Sequence, residues 1–254
     1  MNNSLFNICR TAAYMLSTLL ILGASSASAS PIYWADWQSG TATQVNGTLT
    51  TATSTVNLTY TNPQGIAFLQ TGTGTDYFNS FQDPSISPYT SNVVDNTPTP
   101  AEMIALQYAG NQTLTFSEVI ANPVFSYVSL NGNGYAFDQD FDILSFGDAS
   151  DGNVCGYWGC GTSYKNVVDL GGGNFEYQLL GTGEPHGTIQ FTGAFDSVSW
   201  RSLSNEYWNG FTVGVQGTAV EVFGVPEPSA LALLGLGLAG IGFSRKKKSK
   251  PTTL

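Results

Sequence analysis

Residues 55–61 read TVNLTYT, with Val56, Leu58 and Tyr60 at every second position and threonine or asparagine between them. Successive side chains of an extended chain point to opposite faces, so this spacing describes a strand with one apolar and one polar face. The pattern recurs further along. Phe211, Val213 and Val215 alternate in FTVGVQG, Val198 and Trp200 in FDSVSW, and TLTFSEVI, PVFSYVSL and FEYQLL are further strand candidates. Turn formers stand between them: NPQG, NGNG, DASDGN, GGGN and GTGEPHG. Helical spacing is hinted only in TPTPAEMIA and IALQYAG. Many short strands with small polar connectors predict an all-β fold, a two-sheet, jelly-roll-like sandwich over residues 30–224. Residues 72–100, with four prolines, read as one long connection fastened by Tyr77, Phe78, Phe81 and Tyr89.

The two ends differ from this middle. Arg10, an apolar stretch from Ala12 to Gly23 and the small residues Ala27-Ser28-Ala29 have the order of a signal peptide, residues 1–29, cut by signal peptidase after Ala29. At the other end, residues 225–250 run through Val225-Pro226-Glu227-Pro228, an apolar segment of sixteen residues (229–244) and then Arg245, Lys246, Lys247, Lys248 and Lys250. As a helix that segment is about 24 Å long. A hydrocarbon core is about 30 Å thick, so it spans only if the flanking lysines reach back to the interface. The two prolines remove backbone donors and hold the joint extended, as a protease substrate must be.

The order Pro-Glu-Pro, apolar helix, basic cluster resembles the PEP-CTERM sorting signal of exported bacterial proteins. The resemblance implies recognition by an exosortase, a membrane-embedded cysteine protease, in a Gram-negative cell that makes extracellular polysaccharide. It implies a protein held at the inner membrane through the C-terminal helix before processing, and afterwards found in the cell envelope or outside. WADWQSGTATQVNGTL, NPVFSYVSLNGNGYAFDQDFDILSFG, GYWGCGTS and HGTIQFTGAFDSVSWRSLSNEYWNGFTVGV resemble the mature part of such exported proteins. That likeness implies one intact domain and brings no catalytic residue with it.

Charge narrows the function classes. Between residues 30 and 224 only Lys165 and Arg201 oppose seventeen acids, a net of −15. Nucleic acids are bound through lysine and arginine, so nucleic-acid binding is excluded. Cys155 and Cys160 in CGYWGC suit a disulfide formed in an oxidising compartment, worth about 2 kcal/mol for so short a loop. Redox pairs are usually spaced by two residues, and two thiols with one histidine do not complete a zinc site.

Three sets of residues are candidates for chemistry. Asp138, Asp140 and Asp142 in FDQDFD, read as one alternating strand, would line up oxygen ligands for calcium, the one cofactor the sequence suggests. The helical calcium loop is ruled out, because Ile143 and Ala149 stand where it needs glycine and glutamate. Glu184, Asp196 and Glu206 are carboxylates available for glycoside hydrolysis. Against an enzyme, His186 is the only histidine, expected at the surface of a turn, and no Gly-x-Ser-x-Gly elbow occurs. Tyr157, Trp158, Asn205, Glu206 and Trp208 sit among turn residues and combine aromatic faces with polar groups, as carbohydrate sites do. The function expected is a non-enzymatic association with exopolysaccharide. The alternatives are a structural surface protein without ligand and a secreted glycoside hydrolase.

Overall fold

The computed structural model describes residues 31–224; Ala27 and Ala29, the joint at residues 225–228 and the apolar segment after it lie outside the described residues. Among the described residues no helix is long and apolar enough to cross a membrane.

Two antiparallel sheets face each other. The first runs β10 (Asp142–Phe146), β13 (Gly187–Gln190), β8 (Val124–Val128), β15 (Asn209–Val215), β6 (Met103–Leu106), β5 (Phe68–Gln70), with β1 (Tyr33–Trp34) against β15. The second runs β11 (Gly161–Gly171), β12 (Asn174–Gly183), β9 (Tyr135–Phe137), β14 (Ala194–Ser202), β7 (Gly110–Ala121), β4 (Thr55–Thr61), β3 (Gln44–Thr50), β2 (Asp36–Gly40), with β16 (Gly217–Thr218) against the end of β7. Within them lie the quartets β6-β15-β8-β13 and β7-β14-β9-β12. The chain changes sheet at every step from β6 to β9 and again from β12 to β15, which is the winding of a jelly roll. The expected fold class is the one found.

Strand β4 alternates as its sequence dictates: Val56, Leu58 and Tyr60 are buried and its other residues are at least partly open. The first sheet does not alternate. Every residue of β6, β8, β13 and β15 is buried, because the second sheet covers one face and the long connection covers the other. Phe78 and Tyr89 of that connection pack on Met103, Ala105 and Val128. The Ser145 hydroxyl donates to the Pro88 carbonyl at 2.7 Å, and the Thr188 hydroxyl to the Tyr89 carbonyl at 3.2 Å. This double cover corrects the helical hint at residues 103–106, which form a strand: a continuous apolar run is what a strand buried on both faces looks like. Phe81, expected to fasten the connection, is 81% exposed and does not.

The FDQDFD stretch is also corrected. Phe137 ends β9 in one sheet and Asp142 begins β10 in the other, so residues 138–141 are a crossover and not an alternating strand. Phe141 turns into the core, and Asp140 at the surface pairs with Lys165 at 2.7 Å.

Aromatic rings join the sheets. Phe125 and Phe211 stack from β8 and β15, and Trp200 of β14 meets both edge-on at 5.3 and 5.2 Å between centroids. Tyr60 adds a third edge contact to Phe211. Phe211→Ala should lower unfolding free energy by about 3–5 kcal/mol, read from the denaturant midpoint, whereas Phe81→Ala should stay within about 0.5 kcal/mol.

Candidate functional site

Because successive strands from β6 to β15 run in opposite directions, alternate connections emerge at the same end of the sandwich. The β8–β9, β10–β11, β12–β13 and β14–β15 connections therefore meet there. They supply Ser129 and Asn131, Trp158, Glu184, and Glu206, Tyr207 and Trp208, which together line a cavity of about 350 Å³.

Trp158 and Trp208 form its walls, with centroids 6.2 Å apart and ring planes at 73°. Both lean on Tyr77 of the long connection, and Tyr157 meets Tyr77 and Trp158 edge-on. Phe68 of β5 supports Trp208 from behind at 5.2 Å. Trp158 keeps 52% of its surface open to solvent. It sits in the ring closed by the Cys155–Cys160 disulfide, whose Cα atoms are 4.3 Å apart, so the cysteine staple holds a wall of the cavity.

The acids of the cavity differ from each other. Glu184 accepts from the Ser129 hydroxyl at 2.7 Å and from the Asn131 amide, so both its oxygens are engaged. Glu206 accepts from the Asn209 amide at 2.9 Å through one oxygen, while the other is buried without a partner. Burial pushes the Glu206 carboxyl up to about 8; the Asn209 bond opposes the rise and the charge of Glu184 adds to it. At neutral pH the Glu206 carboxyl thus keeps its proton.

His186 is not the surface residue expected from its turn. It is fully buried beneath the disulfide ring, its Nδ1 facing the Tyr89 hydroxyl at 3.2 Å and accepting from the Ser129 N–H at 3.3 Å. Gly156 is required above it, since a Cβ there would come within 2.2 Å of the imidazole. Burial pushes the imidazole down to about 4, so it is neutral and structural.

Of the residues expected to bind carbohydrate, Trp158, Glu206 and Trp208 line the cavity and Tyr157 buttresses it. Asn205 does not reach it; its side chain accepts from the Ala109 N–H at 2.8 Å and fastens the loop. Glu184 joins Glu206, whereas Asp196 lies on β14 away from both. Ser129 and Asn131 were not singled out in the sequence, because nothing local distinguishes them from other loop residues, whereas Tyr207 stands in the same NEYWNG stretch as Glu206 and Trp208. Among the described residues no three acidic, histidine or cysteine side chains gather to hold a metal ion; Asp138, Asp140 and Asp142 are spread along the crossover. A groove of about 390 Å³ on the outer face of the second sheet holds Arg201 and Glu176, already satisfied by their 2.8 Å ion pair.

Residues 224–246 match the PEP-CTERM protein-sorting motif. The chain therefore carries the address of an exported, envelope-directed protein processed by an exosortase, a membrane protease. No curated protein and no solved structure matches the chain.

The titration of Glu206 has a fixed sign. Its folded pKa lies above the ordinary 4.5, so its stabilising share is present at low pH and is lost as pH rises through about 8. His186 acts the opposite way, costing stability as pH falls from 6.5 toward about 4. Between pH 6.5 and 8.5 the melting temperature should therefore fall, and Glu206→Gln should flatten most of that fall. Thermal melts at matched ionic strength check this, and an unchanged slope in the variant would refute the assignment.

Proposed function

We propose that this exported protein associates with extracellular polysaccharide by taking a short piece of the glycan into the cavity lined by Trp158 and Trp208. The observation that carries the reading is the composition of that cavity: two tryptophan walls beside Glu184, Glu206, Ser129 and Asn131. Sugar rings offer CH-rich faces that stack on aromatic faces, and hydroxyls that seek carboxylate and amide partners. The volume lies at the small end of the range of about 300–1,000 Å³ common to ligand pockets, which suits part of a chain whose remainder stays in solvent. The sorting address supports a ligand met outside the cytoplasm. On this reading signal peptidase cuts after Ala29, and residues 229–244 hold the protein at the inner membrane until the exosortase acts.

Glu184 and Glu206 in one cavity, the second with its carboxyl raised by burial, also have the composition of a glycosidase pair. We favour binding without turnover, because Ser129 and Asn131 already occupy both oxygens of Glu184.

Pull-down and titration with the host's own exopolysaccharide test the proposal. Trp158→Ala and Trp208→Ala should each weaken binding about tenfold, or about 1.4 kcal/mol. Loss of the half-exposed Trp158 should do so without a comparable loss of melting temperature, whereas Trp208→Ala also loses packing on Phe68 and Tyr77. Failure of the folded wild-type protein to bind would leave a structural surface protein without ligand.

A further inference from the structure

Which sugar the cavity suits follows from its charges. Both ionisable side chains lining it are acids, Glu184 and Glu206. The two cations of the described chain are engaged elsewhere, Lys165 with Asp140 and Arg201 with Glu176. Neither reaches the cavity, so no protein ammonium or guanidinium balances its carboxylates.

Three features ask for a positive ligand group. Glu206 has a buried oxygen with no hydrogen-bond partner, and a neutral hydroxyl would satisfy it only partly. The Trp158 and Trp208 faces are each the negative side of an aromatic quadrupole, and they stand at 73° to one another beside that carboxyl. The surrounding domain carries a net charge of −15 over residues 30–224, which draws cations toward the cavity and repels acidic polysaccharide. A neutral sugar uses the walls and leaves the two acids without a cationic partner. A quaternary ammonium uses the walls and the charge, but has no N–H for the unpartnered oxygen. A primary ammonium does all three.

We infer that the cavity takes a glycan unit bearing a free amine, a non-acetylated amino sugar, with its ammonium held by Glu206 and Glu184 beside the two tryptophans. This rests on the glycan-binding role proposed above and narrows it to a basic sugar. The Ser129 and Asn131 side chains, held at the rim by Glu184, are placed for the hydroxyls of the same unit. The high folded pKa of Glu206 adds a signature: a bound cation favours the ionised carboxyl, so at a pH where the sugar amine is already protonated binding should release a proton to the buffer.

Calorimetric titration of the purified protein at physiological salt tests this with four probes of equal length: a glucosamine oligomer, its fully N-acetylated counterpart, a glucose oligomer and a lysine oligomer. The glucosamine oligomer should bind at least tenfold tighter than the acetylated and glucose oligomers. That advantage should shrink to within about threefold in Glu206→Gln and vanish in Glu184→Gln/Glu206→Gln. Heats measured in buffers of different ionisation enthalpy should reveal proton release on binding to wild type and none to Glu206→Gln. Equal affinity for all three sugars, still dependent on Trp158 and Trp208, would overturn the amine inference and leave glycan binding standing. Lysine oligomer binding as tightly as glucosamine oligomer would overturn the sugar part. An amine preference untouched by Trp158→Ala/Trp208→Ala would place binding on the general acidic surface and overturn the site. No binding to any sugar would remove both this inference and the reading beneath it.

Discussion

The packing of Trp200 against Phe125 and Phe211 is the contact on which the rest of the structure depends. It joins the sheets at their middle, where β14 of one faces β8 and β15 of the other. Tyr60, Phe137 and Phe191 extend the ring network to both sides. Each fully buried aromatic of this size contributes a few kcal/mol from area alone, and edge contacts add to it. Once the two quartets are clamped together, the jelly-roll winding leaves no freedom over where the crossings emerge. Four of them must meet at one end, and the cavity is built from side chains of those four. The Trp200 indole N–H is buried without a partner, so the ring is held by shape and area rather than by its polar atom.

A second, smaller layer carries the walls of the cavity. Phe78, Tyr89, Met103, Ala105 and Val128 form a cluster outside the first sheet, and Tyr77, Phe68 and Trp208 rest on it. The long connection is therefore a third layer, and Trp208 belongs both to its packing and to the cavity. Beneath Trp158 the buried neutral His186, the close approach of Gly156 and the disulfide ring form a separate support. Each tryptophan wall is thus fixed from behind, which lowers the ordering cost of binding a ligand against them.

What the sequence made legible followed from local period. Strands with one solvated face, such as β4 and β14, announce themselves by alternation, and enough of them fix the fold class. Strand β6 could not be read that way, because alternation disappears when residues 71–102 cover the outer face, and that cover is a tertiary fact. The FDQDFD stretch keeps a period of two while passing from one sheet to the other, so period alone misplaced it. The aromatic part of the site was visible in GYWG and NEYWNG because tryptophans among turn residues have no core to enter. Ser129 and Asn131 were not visible, since their role depends on Glu184, more than fifty residues away.

The same winding sets the cavity apart from the sorting segment. Strand β7 begins beside the site, where Ala109 bonds to Asn205 and the Gln107 carbonyl accepts from Glu206 N–H. It runs twelve residues, roughly 40 Å at about 3.3 Å each, to Ala121, where β16 pairs with it. The short helix α1 (Ala219–Phe223) follows, with Thr218 and Glu221 closing a capping box. Glu221 also accepts from the Thr51 and Thr53 hydroxyls and the Thr53 N–H, pinning α1 to the turn between β3 and β4. The described chain therefore leaves at Gly224 from the end of the sandwich opposite the cavity, and the sorting motif starts at that residue. The sorting motif is thus attached at the far end of the domain from the tryptophan walls, and nothing that happens at Gly224 touches the residues lining the cavity.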